Sequence, residues 1–590
     1  MASAQVPEDV GAVRVPLAEG IDVDVADWEK ATAAVLRKSR KLADDAPDHD
    51  VWGLLTQETL DGLSITPLGT PSLVADLDDP GLPGEAPFTR GTTATRELEG
   101  WDVRGWFTDP DVDVTAQHVV TDLENGVNSL WITVGDGAVP ADALARILEP
   151  VFLDLAPVVL DALDDPLAAA RALDAVIEDK AVQPHPDTSY GADPTTPDGL
   201  AVVELARARG VRGVVVDATT VHDAGASEVQ ELAYSLATGA RYLRALVEAG
   251  LSVEDAAAQI DVRYAATDEQ LTTIAKLRAA RLLWSRMLEL SDVPAEQRGQ
   301  RQHAVTSRPM MSAYDPYVNM LRTTIAAFSA GVGGAEAVTV LPFDEPLGLP
   351  EAFSRRIARN QSSLLIHESH LGKVVDIAGG SYAVEKLTAE LAQAAWTLFG
   401  DLEEDPDSLQ ARIEERVAAR EQQIAVRQRP ITGLTEFPNL QETRPERRPY
   451  GRAPVVHRYG ASFEALRDDP AKAPVFLATL GRVAQHTARA TFAANLFAAG
   501  GIETVVAGAT EGVDDVVSAY RDAGTPAVAC LAGPDALYAE WGEDVVGALR
   551  EAGAKHVIVA GKNDVGADDS AAMGVDALDF LRRTRQELAS

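Results

Sequence analysis

The chain has 590 residues, and its 91 acidic side chains against 52 lysines and arginines give a net charge of −39. A surface that acidic repels phosphate backbones and anionic lipid, which argues against nucleic acid and membrane surfaces as main partners. At roughly 150 residues per domain the length suits about two to four domains, and Cys530, the one cysteine, excludes an internal disulfide or a cysteine-held metal cluster within one chain and fits a reducing cytoplasm.

In chain order, the first residues, MASAQVPEDVGAVRVPLAEG, lack a basic start followed by an apolar run, so no secretory signal is expected. No stretch approaches the ~18 uninterrupted apolar residues of a membrane span. Residues 1–45 read as an N-terminal arm. Within it, DWEKATAAVLRKSRKL (27–42) has helical spacing, with Trp28, Ala31, Val35 and Leu42 on one side. Such a helix packs on the chain's own main domain or on a partner.

From 46 to 425, short apolar runs alternate with helical stretches. SLWITV (129–134), GVVVD (213–217) and AVTVL (337–341) read as strands, and 197–210, 229–250 and 268–288 as helices. Apolar runs without alternation suit strands buried on both faces, and long β/α alternation in one block predicts a (β/α)8 barrel of the TIM type. Residues 426–472 break the pattern. Their prolines, arginines and lack of period read as a solvated linker, although so basic a stretch in an acidic chain also suits lying on acidic surface. From 473 to 590 the strands 475–480, 503–508, 526–532 and 556–561 alternate with helices, and 576–590 is a closing helix. This is the rhythm of a small doubly wound, flavodoxin-like domain.

Several stretches, in order, resemble the methylmalonyl-CoA mutase family. They are HDAGASEVQELAYSLATG (222–239), AKLRAARLLWSRM (275–287), HAVTSRPMMSAYDPYVNMLRTTIAA (303–327), FDEPLGLPEAFSRRIARNQ (343–361) and VVDIAGGSYAVEKLT (374–388). The resemblance runs from about 50 to the C-terminus. It implies an α/β chain in which a TIM-type barrel precedes a flavodoxin-like domain of the cobalamin-binding type. In the family that cofactor is adenosylcobalamin, which supplies radical chemistry while the protein binds, orients and shields.

The positions that would carry this chemistry depart from the family pattern together. The cobalt-ligating motif Asp-x-His-x-x-Gly aligns with Val483, Gln485 and Ala488. His486 stands one residue late, without the aspartate that would orient it. The family's Ser-x-Leu after the third strand of the small domain begins here with Ala529. Its Gly-Gly after the fourth begins with Ala560. In the barrel, the tyrosine of Trp-Thr-x-Arg-Gln-Tyr becomes Trp106, and the histidine that contacts the thioester becomes Thr220, with His222 nearby but out of register. The amide of His-Thr-Asn becomes Leu341, which cannot hydrogen-bond.

The resemblance therefore implies a non-catalytic small subunit with no catalytic, cofactor-binding or metal residue of its own, in which those eight positions are vestigial. Its partner would be a catalytic large subunit that binds the adenosylcobalamin and interconverts methylmalonyl-CoA and succinyl-CoA. The alternatives are an active mutase using His486 and His222 at a divergent site, a related mutase acting on isobutyryl-CoA or ethylmalonyl-CoA, or a free-standing binding protein on a borrowed fold. The arm and the arginine-rich linker are the candidate interface.

Overall fold

A computed structural model of the chain describes residues 23–95 and 99–589; the first 22 residues of the expected arm lie outside them. The chain divides into two compact units, Met1–Thr70 and Pro71–Ser590. No helix among the described residues is long and apolar enough to cross a membrane.

The first unit holds the helix Val25–Lys38 and a short hairpin of β1 (Gln57–Glu58) and β2 (Ser64–Ile65). Asp24 caps the helix. Its side chain accepts from the Asp27 N–H at 2.9 Å, and the Asp27 carboxylate accepts from the Asp24 N–H at 3.2 Å, a reciprocal box that satisfies donors the helix start leaves open. The buried face is Ala33 and Leu36 with Leu42 and Val51, flanked by Trp28 and Trp52. The face expected from spacing is thus rotated, because Val35 is 66% exposed. The helix ends at Lys38, and Leu42 reaches the cluster through a turn in which Arg40 has positive φ.

The second unit contains a closed barrel of eight parallel strands, β3 (Asp102–Phe107), β4 (Ser129–Val134), β5 (Val158–Ala162), β6 (Ser189–Ala192), β7 (Arg212–Asp217), β8 (Ile260–Ala266), β9 (Gln302–Thr306) and β10 (Ala337–Thr339), with β10 pairing β3 to close it. Every residue of β4 and β8 is buried, as expected of strands covered on both faces. The unit also contains a five-stranded parallel sheet of β11 (Val475–Thr479), β12 (Thr504–Val506), β13 (Val528–Ala532), β14 (His556–Ala560) and β15 (Asp569–Ala571), in the order β12-β11-β13-β14-β15. Counted within that sheet the order is 2-1-3-4-5, and each face carries its own apolar cluster.

Between the barrel and this sheet, the basic segment is not a solvated linker. It lies across residues that follow the carboxyl ends of five barrel strands. Arg448 pairs with Asp109 after β3, Arg452 with Asp164 after β5 at 2.7 Å, and Arg447 with Asp344 after β10. The His457 N–H donates to the Asp223 carbonyl after β7 at 2.7 Å, and the Tyr459 N–H to that of Pro309 after β9 at 2.9 Å. The acidic barrel mouth supplies the carboxylates, and the segment is a strap over it.

Candidate functional site

In a parallel barrel the chemistry-bearing end is the carboxyl one. Here that end is filled by a column of rings. At its base His303 on β9 meets the Trp131 ring edge-on, centroids 5.4 Å apart. Trp131 lies 5.8 Å from Trp106, and Trp106 lies 6.0 Å from Tyr450 of the strap. Two guanidinium groups cover the tryptophans: Arg263 stands 4.2 Å from the Trp131 ring, and Arg308 5.0 Å from that of Trp106, cation–π geometry in both cases. The Trp106 indole N–H donates to Thr133 at 3.0 Å, and Arg263 donates to Asp217 at 2.6 Å. A cavity of about 30 Å³ lies against β3, lined by Gly105, Asp122, Val127, Arg355 and Ala358. That is room for a water or two. A cavity of about 790 Å³ lies instead among the outer helices, lined by Leu283, Tyr382, Glu385 and Trp396.

The charges of the mouth are matched internally. Arg308 donates to both Asp223 and Glu345 at 3.1 Å. Burial pushes both carboxyls up, and Arg308 pulls them back only in part. Burial works against the Arg308 charge, yet Asp223 and Glu345 hold its pKa above the ordinary value. Burial, then Arg104 and Arg263, holds the His303 imidazole well below its ordinary range. Its Nε2 lies 2.8 Å from the Thr339 hydroxyl.

Of the barrel positions singled out from sequence, Trp106 is in this column. Thr220 is exposed, its hydroxyl donating to the Asp217 carbonyl at 2.9 Å. Leu341 is fully buried and its N–H donates to Thr306 at 2.9 Å. His222 is buried, its Nε2 2.7 Å from the Ser307 hydroxyl and its Nδ1 3.5 Å from Glu231. Glu231 is held by Lys276 at 2.6 Å; burial alone would raise its carboxyl, but Lys276 and His222 carry it below the usual range.

In the small sheet, three residues separate the end of β11 from the helix Val483–Ala499. Val483, Gln485 and Ala488 are exposed on its first turns, and the Gln485 side chain accepts from the Arg482 N–H at 2.9 Å. His486 is not at the surface: it is buried, with Nδ1 3.2 Å from the Gly481 carbonyl. Ala529 and Ala560 are buried on opposite faces. Ala560 packs with Phe497 and Cys530 under that helix, while Ala529 packs with Phe476 and Tyr538 on the other side. At the carboxyl edge the Tyr538 hydroxyl accepts from the Gly533 N–H at 3.0 Å. It lies 2.9 Å from the Ala560 carbonyl and 3.0 Å from that of Leu531. Arg489 stands over the ring at 5.0 Å and donates to the Gly533 carbonyl at 2.7 Å.

Sequence reasoning did not find Tyr450, Trp131, Arg263, Tyr538 or Arg489. The signal available for the first was the cluster of arginines around it in an acidic chain.

The family model described as methylmalonyl-CoA mutase matches residues 203–524. The chain is 46% identical over 613 residues to the methylmalonyl-CoA mutase small subunit of Streptomyces virginiae, covering 96% of this chain and 97% of that one. The chain belongs to the methylmalonyl-CoA mutase family. It is also 38% identical over 605 residues to the small subunit of Propionibacterium freudenreichii subsp. shermanii, covering 94% and 93%. A probable small subunit of Mycobacterium tuberculosis is 42% identical over 571 residues, covering 90% and 92%. Methylmalonyl-CoA mutase is an isomerase, and the name small subunit implies a partner subunit. Within this family member, Arg308, Arg263 and the Trp106 indole find their partners within the chain, the Trp131 indole N–H has no hydrogen-bond partner among the described residues, and the strap lies across the entrance.

Proposed function

We propose that this chain is the non-catalytic small subunit of a heterodimeric, cytoplasmic, adenosylcobalamin-dependent acyl-CoA mutase, whose large subunit binds the cofactor and interconverts methylmalonyl-CoA and succinyl-CoA. The observation that carries the reading is the ring column from His303 to Tyr450, which occupies the barrel where an acyl-CoA would lie.

The residues present do not fit a corrin. Gln485 holds its own helix start, and His486 points at a backbone carbonyl from a buried position. The layer between β14 and the helix Val483–Ala499 is packed with Ala560, Cys530 and Phe497, each at most 1% exposed. We therefore read 46–425 as the barrel domain, 426–472 as its strap and 473–590 as a degenerate cobalamin-binding-type domain. The 2-1-3-4-5 strand order supports the flavodoxin-like assignment of the last. Trp106, Thr220, Leu341, Val483, Gln485, Ala488, Ala529 and Ala560 are then vestigial site positions. The engaged and buried states of His222 and His486 weigh against an active, divergent site.

The test is to titrate the purified chain with adenosylcobalamin and follow the absorbance change that accompanies exchange of the lower cobalt ligand. No saturable change is expected. A saturable change would overturn the reading.

A further inference from the structure

One surface of the barrel is rich in exposed apolar side chains. The helix Asn319–Val332 contains a single charged residue, Arg322. That residue is buried, donating to Asn319 at 2.7 Å and to the Thr432 carbonyl at 2.8 Å. The side facing out carries Leu321, 66% exposed, and Ile325, 42% exposed. Tyr317, 53% exposed, stands one turn before Leu321.

The neighbouring helix Ala352–Ser363 turns Arg355 and Arg359 inward to Asp122. It leaves Phe353 46% exposed, and Leu364 just beyond it 56% exposed. The buried Phe343 joins the two helices, stacked on Tyr317 at 5.2 Å and edge-on to Phe353 at 6.1 Å. Gln361 ties them further, donating to the Met320 carbonyl and the Thr324 hydroxyl, both at 2.7 Å. The face is therefore continuous and held rigidly; the helix Asn319–Val332 adds no exposed charge to it, and on the helix Ala352–Ser363 the exposed Arg356 stands 5.4 Å from the Phe353 ring at its edge.

Taking about 200 Å² for a fully exposed aromatic side chain and about 150 Å² for the smaller leucine or isoleucine, these five residues leave roughly 450 Å² of apolar side chain open. That is more than half of the ~800 Å² per partner of a stable interface. Depletion of charge at the centre is the compositional mark of an interface core. A net charge of −39 on each copy opposes pairing of the chain with itself.

We infer that the face of Tyr317, Leu321, Ile325, Phe353 and Leu364 is the docking surface for the large subunit, an inference that rests on the function proposed above. A charge at its centre would have to be desolvated on assembly.

The experiment mixes the chain with the large mutase subunit of the same organism and measures their affinity. It compares wild type, the double variant Leu321→Glu/Ile325→Glu, and the control Met573→Glu at an exposed residue of the small sheet. The double variant is expected to bind at least about 100-fold more weakly, with its own unfolding midpoint unchanged and with the control binding as wild type. If the double variant does not fold, Leu321→Glu alone is read by the same criterion. Unchanged affinity of the folded variant overturns the docking surface and leaves the subunit role standing. Failure of the wild type to bind any large subunit overturns the subunit role and the surface with it. Self-association of the wild-type chain that the variant abolishes, with heterodimer affinity intact, assigns the face to a second copy and overturns the inference.

Discussion

Replacing Arg308 by methionine tests whether the barrel mouth is held by an internally neutralised charge cluster. Arg308 lies between Asp223 and Glu345, all three being 8% exposed or less. Removing the guanidinium strands two carboxylates in a place that already penalises their charge. Breaking a buried pair from one side costs about 3–5 kcal/mol. Loss of the contact with the Trp106 ring adds about 0.5–2 kcal/mol that does not depend on pH. The pH dependence isolates the first part. A carboxyl whose folded pKa is raised contributes stability that is fully present below its unfolded value, about 4, and is lost as pH rises through the folded value. The variant raises both folded values further. Its deficit against wild type therefore widens from about pH 4 upward and is largest at neutral pH. The assay is the urea midpoint of both proteins at intervals from pH 4.5 to 8. A deficit that stays flat, or that grows on acidification, would refute the charge cluster as the origin of the stability.

The strap's arginines should differ sharply. Arg447→Ala leaves the fully buried Asp344 unpaired and should cost about 3 kcal/mol, whereas Arg448, 55% exposed, should cost under about 1 kcal/mol; equal urea midpoints for the two variants would contradict this. Arg447→Ala should also speed proteolytic cleavage within 426–472. Tyr538→Phe removes the partner of the Gly533 N–H at the edge of the small sheet and should destabilise by about 1–3 kcal/mol without creating any adenosylcobalamin binding; a visible titration with the cofactor would show that the hydroxyl alone had closed the site. Deleting residues 1–40 should weaken assembly with the large subunit on a sizing column, and an unchanged elution would remove the arm from the interface.

What the sequence made legible follows from which interactions are local. The β/α alternation was readable because β4, β7 and β10 are apolar runs, and four of the five strands of the small sheet are too. β3 and β8 escape that reading because Asp102, Arg104, Asp261 and Arg263 lie within them. Arg104 pairs with Asp102 on the same strand, and Arg263 with Asp217 on the adjacent β7, and a rule that looks for apolar runs cannot see a strand whose charges are neutralised within it or by its neighbour. The strap was misread for the same reason. Its lack of period is real, but its partners Asp109, Asp164 and Asp344 are scattered along the sequence. The burial of His486 was not legible, because it sits between exposed Gln485 and Thr487 and each step around a helix turns the side chain by about 100°.

The family landmarks were legible because they are structural pins. Arg281 of the 275–287 stretch donates to the carbonyls of Phe88 and Thr89 at 3.1 Å and of Gly333 at 2.7 Å. Arg278 of the same stretch reaches Asp376 and Glu385, both in the 374–388 landmark. Two motifs a hundred residues apart are thus one buried ion cluster, and loss of either partner would leave an uncompensated charge inside the protein. The mouth obeys a different constraint. On the proposed reading, Trp106 and Leu341 stand where polar side chains would serve the chemistry, and they strand no charge there because rings and the strap fill the space. On the proposed reading, stability alone would keep the buried landmarks while leaving the positions of the chemistry free to change, the pattern expected of a chain retained for its shape.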